Sequence, residues 1–192
     1  MNILTVCGSP RKGNSEAIAL KLQELFRKKG ITNEVILLRQ QHIEVCKGCV
    51  EFCNHKLNCR YKDDMVQIIE KIRKANRLIF ITPNYFQMPP AIFKNFIDRS
   101  SIFYTRGEDK LFKKKKAAVI CIGTDTVKRI QVCTDNIANL FCKTIGLPVV
   151  VTKSFRSNSE LKGNFNDILE NNLNPSLRKD LNEIVRKLIN KS

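Results

Sequence analysis

The sequence predicts an α/β fold, a three-layer doubly wound domain built around a five-stranded parallel sheet. Two observations support this prediction. Short, continuously apolar segments alternate with longer segments whose apolar residues recur every three or four positions, the spacing of an amphipathic helix. Strands that are apolar on both faces are typical of a parallel sheet covered by helices on both sides. A chain of 192 residues can bury a large core, so we expect a single domain, 1–192.

The elements follow from these two patterns in chain order. Runs of strand length occupy residues 3–7, 35–38, 78–81, 117–122 and 149–151. The helical pattern occupies residues 18–26, 65–72, 92–97, 137–145 and 181–188. Pro89 and Pro90 suit the start of the third helix, and Gly146 suits the end of the fourth. Strand then helix, five times over, favours right-handed crossovers.

Two segments fall outside the alternation. A cysteine-rich loop insertion at about 40–62 holds four of the eight cysteines. A C-terminal extension covers about 153–192, and its part rich in Asn and Ser, residues 154–176, is interpreted as a surface excursion that packs against the domain. The short run 113–116 is interpreted as a solvated group of lysines.

Composition limits the classes of function. The apolar runs are shorter than a membrane span or a signal-peptide core requires, so we expect a cytoplasmic protein with no membrane partner. Clustered cysteines in a reducing compartment indicate metal ligands or redox groups rather than disulfides. The formal net charge of +16 raises nucleic acid or anionic cofactors as partners.

The turn between the first strand and the first helix is a candidate phosphate site. It reads GSPRKGNS over residues 8–15, and a helix that starts there offers backbone N–H groups to an anion. Asn14 stands where a P-loop has its lysine, which argues against nucleoside triphosphate hydrolysis. A phosphate monoester is the better candidate, and a simple turn with a Ser/Asn helix cap is the alternative.

The cysteines of the insertion read C-x2-C-x3-C-x5-C and are Cys46, Cys49, Cys53 and Cys59. Four thiolates in one compact run favour an iron–sulfur cluster, whereas structural zinc usually uses two knuckles separated by a longer loop. Zinc or no metal remain the alternatives. His55, inside the run, is interpreted as a solvent-facing loop residue.

Other polar and sulfur groups have structural interpretations. Asp63 and Asp64 precede the second helix and are interpreted as its N-terminal cap. The remaining cysteines are interpreted as small buried hydrophobes and are Cys7, Cys121, Cys133 and Cys142. No catalytic side chain is assigned.

Three motifs in order, residues 8–15, TPNYF at 82–86 and AIFKNFIDR at 91–99, resemble the NADPH-dependent FMN reductase family of flavodoxin-like proteins. The cysteine motif narrows the resemblance to the iron–sulfur flavoprotein branch, over residues 1 to about 150. The resemblance implies that the FMN phosphate is held by Ser9, Arg11, Gly13, Asn14 and Ser15. It implies that Pro83, Asn84, Tyr85 and Phe86 lie along the isoalloxazine, with Gly123 and Thr124 at its other border. This chain has three residues between the second and third cysteines, whereas the family pattern has two.

The function implied is that of an FMN-binding, NAD(P)H-dependent oxidoreductase or electron-transfer flavoprotein with a 4Fe-4S cluster. The resemblance also implies NAD(P)H or a protein such as ferredoxin as redox partner, and a homodimer or homotetramer. One alternative is a plain FMN or quinone reductase without a cluster. Another is a zinc-binding, basic nucleic-acid-binding module, which is disfavoured because the basic residues are spread along the chain.

Overall fold

The computed structural model describes residues 1–157, 167–170 and 175–190. Within this part of the chain, five parallel strands form one sheet in the order β2-β1-β3-β4-β5, which is the flavodoxin-like order. The strands are β1 (Asn2–Cys7), β2 (Thr32–Leu37), β3 (Arg77–Pro83), β4 (Lys116–Gly123) and β5 (Val149–Arg156). The α/β prediction with a five-stranded parallel sheet is therefore confirmed.

Helices cover both faces of the sheet, as the apolar strands require. The α-helices are α1 (Asn14–Arg27), α2 (Val50–Lys56), α3 (Asp64–Lys74), α4 (Ala91–Arg99), α5 (Ser101–Thr105), α6 (Asp109–Phe112), α7 (Val127–Asp135), α8 (Asp167–Glu170) and α9 (Pro175–Ile189). A 3-10 turn, Leu38–Gln40, follows β2, and a π-helical segment, Asn136–Cys142, continues α7. Two buried clusters result, one on each side of the sheet.

The middle of the sheet holds the core. Val6 of β1 lies in register with Ile36 of β2 on one side and Phe80 of β3 on the other. The Phe80 ring packs against Phe93 and Phe96 of α4, with centroids 6.3 and 6.0 Å apart. The apolar stripe of α4 is thereby fixed against β3, and this places the carboxyl end of α4 beside the cysteine-rich segment.

The C-terminal extension differs in part from its interpretation as a surface excursion. Strand β5 runs to Arg156, and Phe155, which is 3% exposed, lies in register with Ile122. The interpretation of residues 154–156 as excursion is therefore wrong, because β4 continues to Gly123 and gives these residues a pairing partner. Ile168 of α8 is buried in the core cluster that includes α1, as expected for a packed segment. Phe165 and Leu173, two apolar residues of the interpreted excursion, lie outside the described residues.

The lysine run before β4 is not uniformly solvated. Lys115 is 7% exposed, and its Nζ donates to the carbonyl oxygens of Arg73, at 2.8 Å, and Ala75, which end α3. An ammonium group at a helix carboxyl end satisfies carbonyls that have no partner within the helix. The interpretation of residues 113–116 as a solvated run is wrong at this residue.

The predicted helix at residues 137–145 starts earlier than expected. It is the second half of a longer helical segment that begins at Val127, where the Thr126 side chain accepts a hydrogen bond from the Arg129 N–H. The first half was missed because Val127 and Val132 are apolar but exposed, so its apolar residues do not mark a single buried face. No described helix has the length and apolarity needed to cross a membrane.

Candidate functional site

The loops that follow the strands meet at one edge of the sheet. Gly8 N donates to Ile81 O at 2.8 Å, which ties the turn after β1 to the end of β3. Asn84 N donates to Ile122 O at 2.7 Å, tying the loop after β3 to the end of β4. Ligands of doubly wound sheets bind at this edge, beside the position where the strand order reverses. Here that position lies between β1 and β3.

The turn after β1 is pressed against α4. A Cβ atom added to Gly8 would lie 2.2 Å from Cδ2 of Phe93, so only glycine fits. The next residue, Ser9, is buried, and its Oγ donates to Arg11 O at 2.6 Å. The turn is therefore held in one shape from two sides.

The amino end of α1 opens directly onto this turn. The helix begins after Gly13, whose extended backbone carries no side-chain cap. The N–H groups of the first helical turn have no partner within a helix, and the helix dipole favours an anion beside them. Asn14 and the buried Ser15 stand at this helix start. Asn14 Oδ1 also accepts a hydrogen bond of 3.3 Å from Ile168 N, which ties the turn to α8.

A buried carboxylate lies in the same helical turn. Glu16 is 7% exposed and receives hydrogen bonds from Arg39, the shortest from Nη2 at 2.9 Å. The Glu16 carboxylate alone would repel a phosphate at the helix start. The Arg39 guanidinium balances the charge of Glu16. Sequence reasoning missed Arg39, because it comes from the turn after β2, 23 residues away.

The loop after β3 is a tight turn with an exposed aromatic tip. Tyr85 and Met88 exchange backbone hydrogen bonds of 2.8 and 3.0 Å around Phe86 and Gln87. Both turn residues have left-handed backbone, with φ of 52° and 65°. Such strain in non-glycine residues is typical of functional sites. Tyr85 is 41% exposed and Phe86 is fully exposed, so neither is a core residue.

Asn84 carries a buried side-chain oxygen, Oδ1. Its Oδ1 makes no hydrogen bond within the described part of the chain. A Cβ added to Gly123 would lie 3.2 Å from the Asn84 Cβ, so the loops after β3 and β4 are in close contact. Gly123 O also accepts from Ser157 N at 2.8 Å, while Thr124 is exposed. A buried carbonyl oxygen without a partner suits the N–H of a bound heterocycle.

The cysteine-rich insertion contains a short helix, whereas the sequence predicted a loop throughout. Cys49 precedes α2 and Cys53 lies one turn further, with Cys53 N donating to Cys49 O at 3.1 Å. Residues four apart in a helix lie on the same side, so the three-residue spacing brings these two thiols together. His55 is exposed as expected, although it lies on α2 rather than on a loop.

All four cysteines of the motif line one small cavity. Burial raises the pKa of the Cys53 thiol, and its hydrogen bond with Cys49 and the nearby Cys59 and Cys46 raise that pKa further. The other three thiols are thus close enough to oppose the ionisation of Cys53, an effect that a cationic centre would reverse. Within residues 1–157, 167–170 and 175–190, no three His, Cys, Asp or Glu side chains are grouped closely enough to hold a single metal ion.

Helix α4 and the start of α3 fix the insertion in place. Asn95 Oδ1 accepts from Cys46 N at 3.2 Å, and Asn95 Nδ2 donates to Ile43 O at 3.0 Å. One turn later, Arg99 forms an ion pair with Asp63 at 2.6 Å, with both side chains nearly inaccessible. Asp63 also accepts from Met65 N at 3.1 Å, which confirms its interpretation as a helix cap. Asp64 accepts from His42 N at 2.7 Å.

The other four cysteines are buried, as interpreted. The sulfurs of Cys121 and Cys133 lie 3.4 Å apart between β4 and α7. Burial raises the pKa of the Cys7 thiol to about 11 and also raises those of Cys121 and Cys142, so these groups remain neutral thiols.

A groove of about 600 Å³ joins the cysteine segment to the loop after β3. Its lining includes Cys46 and Gly48 from one and Met88 and Pro89 from the other. The π-helical segment supplies Leu140 and other apolar residues to its wall. This groove has no local signal in the sequence, because its residues come from four separate segments.

The chain matches the family described as NADPH-dependent FMN reductase over residues 1–157. It is 38% identical over 100 residues to an iron-sulfur flavoprotein of Archaeoglobus fulgidus, covering 52% of this chain and 49% of that protein. It is 32% identical over 124 residues to an iron-sulfur flavoprotein of Methanosarcina thermophila, covering 64% of this chain and 63% of that protein. The chain thus matches about half to two thirds of the length of these relatives.

Among solved structures, the NAD(P)H:quinone oxidoreductase from Methanothermobacter marburgensis superposes with a TM-score of 0.70 at 18% identity, covering 97% of this chain and 93% of that one. This likeness supports the flavodoxin-like fold. Together with the strand order, the turn after β1 and the cysteine motif, these findings show that the chain belongs to the NADPH-dependent FMN reductase family and confirm its resemblance to the iron–sulfur flavoproteins.

Proposed function

We propose that this protein is an FMN-dependent oxidoreductase that takes electrons from NAD(P)H and carries a 4Fe-4S cluster on Cys46, Cys49, Cys53 and Cys59. The observation that carries the proposal is that these four thiols line one cavity, next to a sheet edge built to receive a phosphate and a flat ring. FMN supplies hydride acceptance followed by release of single electrons, which a cluster can receive one at a time. The protein binds and orients both groups, and no acid–base side chain is assigned.

The phosphate end of FMN fits the turn after β1. The amino end of α1 offers backbone N–H groups, and the carboxylate in its first turn is already balanced by an arginine. We assign the phosphate to Ser9, Arg11, Gly13, Asn14 and Ser15, and the ring to Pro83, Asn84, Tyr85 and Phe86, with Gly123 and Thr124 at its border. The unpartnered Asn84 Oδ1 supports this placement, because it can accept a hydrogen bond from a ring N–H.

The donor set of the insertion fits an iron–sulfur cluster better than one ion. Thiolates are the usual ligands of both zinc and iron–sulfur centres. The four cysteines form one tight run, as in the ligand runs of iron–sulfur clusters, whereas structural zinc sites usually use two knuckles separated by a longer loop. The names of the relatives, iron-sulfur flavoproteins, support the same choice.

The redox partner is proposed from charge and family. The family description supports a nicotinamide donor. The exposed basic residues of the insertion favour an acidic protein, such as a ferredoxin, as a second partner, and they are Lys47, Lys56, Arg60 and Lys62. A homodimer or homotetramer remains a prediction from the family resemblance, and a cytoplasmic location remains a prediction from composition.

Anaerobic purification tests the proposal directly. We expect a brown protein with FMN, and with iron and acid-labile sulfide in equal amounts. A yellow protein without iron would support the plain FMN or quinone reductase instead. A colourless protein with zinc would overturn the flavoprotein proposal and support the zinc-binding module. Rapid mixing with NADPH, and separately with reduced ferredoxin, then identifies the donor that bleaches the flavin absorbance.

The variant Cys53→Ala tests the cluster ligands separately from FMN. We expect loss of iron and sulfide with FMN retained, because Cys53 lies on the insertion and outside the sheet-edge loops. The control is Cys142→Ala, which removes a buried thiol remote from the motif and should keep both cofactors. Full iron content in Cys53→Ala would show that this thiol is not a ligand.

A further inference from the structure

Arg99 is the buried cation of the cysteine cavity. It is the last residue of α4 and is 3% exposed. It lines the same cavity as the four cysteines, so its guanidinium borders the thiols that we assign as ligands. The described lysines and arginines of the insertion itself are all exposed, so their charges are screened by solvent.

The guanidinium is held rigidly from both ends of the insertion. Nη1 donates to Glu44 O at 2.7 Å, on the amino-terminal side of Cys46. Nη1 and Nη2 also donate to the two carboxylate oxygens of Asp63, at 2.6 and 3.0 Å, on the far side of Cys59. The Tyr61 ring lies 5.2 Å from the Arg99 Cζ. The side chain is thus positioned before any centre binds.

The Arg99 guanidinium has one further N–H donor, at Nε. The Arg99 Nε is buried and makes no hydrogen bond with any described residue. A buried charged donor without a partner is costly unless a ligand completes it. The cavity that Arg99 lines also contains the four cysteines, and iron–sulfur centres accept hydrogen bonds at sulfur.

We propose that Arg99 holds the cysteine-rich insertion in position and raises the reduction potential of the cluster, a role that rests on the proposed function. The added electron makes the centre more negative, and a fixed cation with N–H donors stabilises the reduced form more than the oxidised form. Asp63 has the opposite effect on the potential, because its carboxylate offsets the Arg99 charge while holding the side chain in place. Two partners of one ion pair therefore shift the potential in opposite directions.

The test is the midpoint potential of the cluster in purified protein, followed by electron paramagnetic resonance during a redox titration. Arg99→Gln should lower the potential, Arg99→Lys should lower it less, and Asp63→Asn should raise it. The matched control is Arg106→Gln. Arg106 donates to Leu57 O and to Asn58 Oδ1 beside Cys59, but it lies on the solvent side and does not line the cavity. Loss of the Arg106 charge should lower the midpoint potential less than loss of the Arg99 charge, and this change should become smaller as salt is added.

The outcomes separate the inference from the proposed function. Equal shifts in Arg99→Gln and Arg106→Gln, or shifts of the same sign in Arg99→Lys and Asp63→Asn, would overturn the role of Arg99 alone. If Arg99→Gln fails to fold or to hold iron, the signs of Arg99→Lys and Asp63→Asn decide. A wild-type protein without iron and acid-labile sulfide would overturn both the proposed cluster and this inference.

Discussion

Single residues set the shape of the turn after β1, which we propose holds the FMN phosphate. Gly8 is required for packing, since its position against Phe93 leaves no room for a Cβ atom. Arg39 is required because it neutralises the Glu16 carboxylate at the amino end of α1. Neither requirement is a property of the turn sequence alone.

Replacing Gly8 with alanine should lower the free energy of unfolding by about 1–3 kcal/mol, the usual cost of overpacking a core. The turn should also shift away from α4 and bind FMN more weakly. Urea unfolding and FMN fluorescence titration measure the two effects. In a Phe93→Ala background the alanine should cost less, and equal costs in the two backgrounds would contradict the proposed contact.

Removing the Arg39 charge should weaken FMN binding by about 1 kcal/mol, roughly fivefold. In Arg39→Ala the Glu16 carboxylate is left unbalanced at the end of α1 that we assign to the phosphate. The double variant Glu16→Gln with Arg39→Ala should recover most of the affinity. Titration of apo-protein with FMN measures both, and no recovery in the double variant would exclude charge as the cause.

At the scale of elements, the short helix α2 explains how an unusual cysteine spacing still brings four thiols together. Cys49 and Cys53 are one helical turn apart, and the left-handed Leu57 ends the helix before Cys59. The family pattern has two residues between the second and third cysteines, and the i to i+4 geometry brings Cys49 and Cys53 to the same side with three residues between them.

Breaking that helical turn should reduce cluster content. In Asn54→Pro, the proline ring clashes with the carbonyl of residue 50 and prevents the helical conformation at Cys53. We expect less iron per chain with FMN retained, measured by iron and flavin analysis. Asn54→Ala, at the same exposed position, keeps the helix and should keep the iron. Full iron in the proline variant would show that α2 is not needed.

At the scale of the whole molecule, ion pairs join segments that are distant in sequence. Arg99 and Asp63 join α4 to the start of α3, and Lys153 joins β5 to Asp180 and Glu183 of α9. The pKa of Asp63 is lowered: burial opposes its ionisation, but hydrogen bonds from Arg99 and from Glu44 N outweigh burial. Hydrogen bonds from Lys153 and Lys187 lower the pKa of Glu183 to about 2.

These shifts predict loss of stability in acid. A carboxyl whose folded pKa is lowered stabilises the fold above its unfolded pKa of about 4, and that contribution is lost as pH falls through the folded value. The urea midpoint should therefore fall between about pH 4 and pH 2. Asp63→Asn should be less stable than wild type at pH 7, and its midpoint should fall less on acidification. An identical pH dependence in the two proteins would contradict the role of Asp63.

The sequence predicted the alternation of strands and helices and the parallel sheet, and it contained the cysteine motif and the candidate phosphate turn. These features are local, since apolar periodicity, helix caps and motif spacing are set by neighbouring residues. Boundaries were less accurate: β5 extends to Arg156 because β4 offers it a partner, and Lys115 is buried because the end of α3 offers it carbonyl groups. Pairing and burial of this kind depend on segments far away in the chain.

The sequence alone determined the family, the fold class and the four candidate ligands. Only the tertiary structure decided which charged side chains lie beside the candidate sites. Arg99 lines the cysteine cavity, and Arg39 pairs with Glu16 at the start of α1. Neither has a local signal, because the free energy of a buried charge depends on the groups packed around it and not on its sequence neighbours. Folding places Arg99 36 residues from Asp63 in sequence and 2.6 Å from it in space.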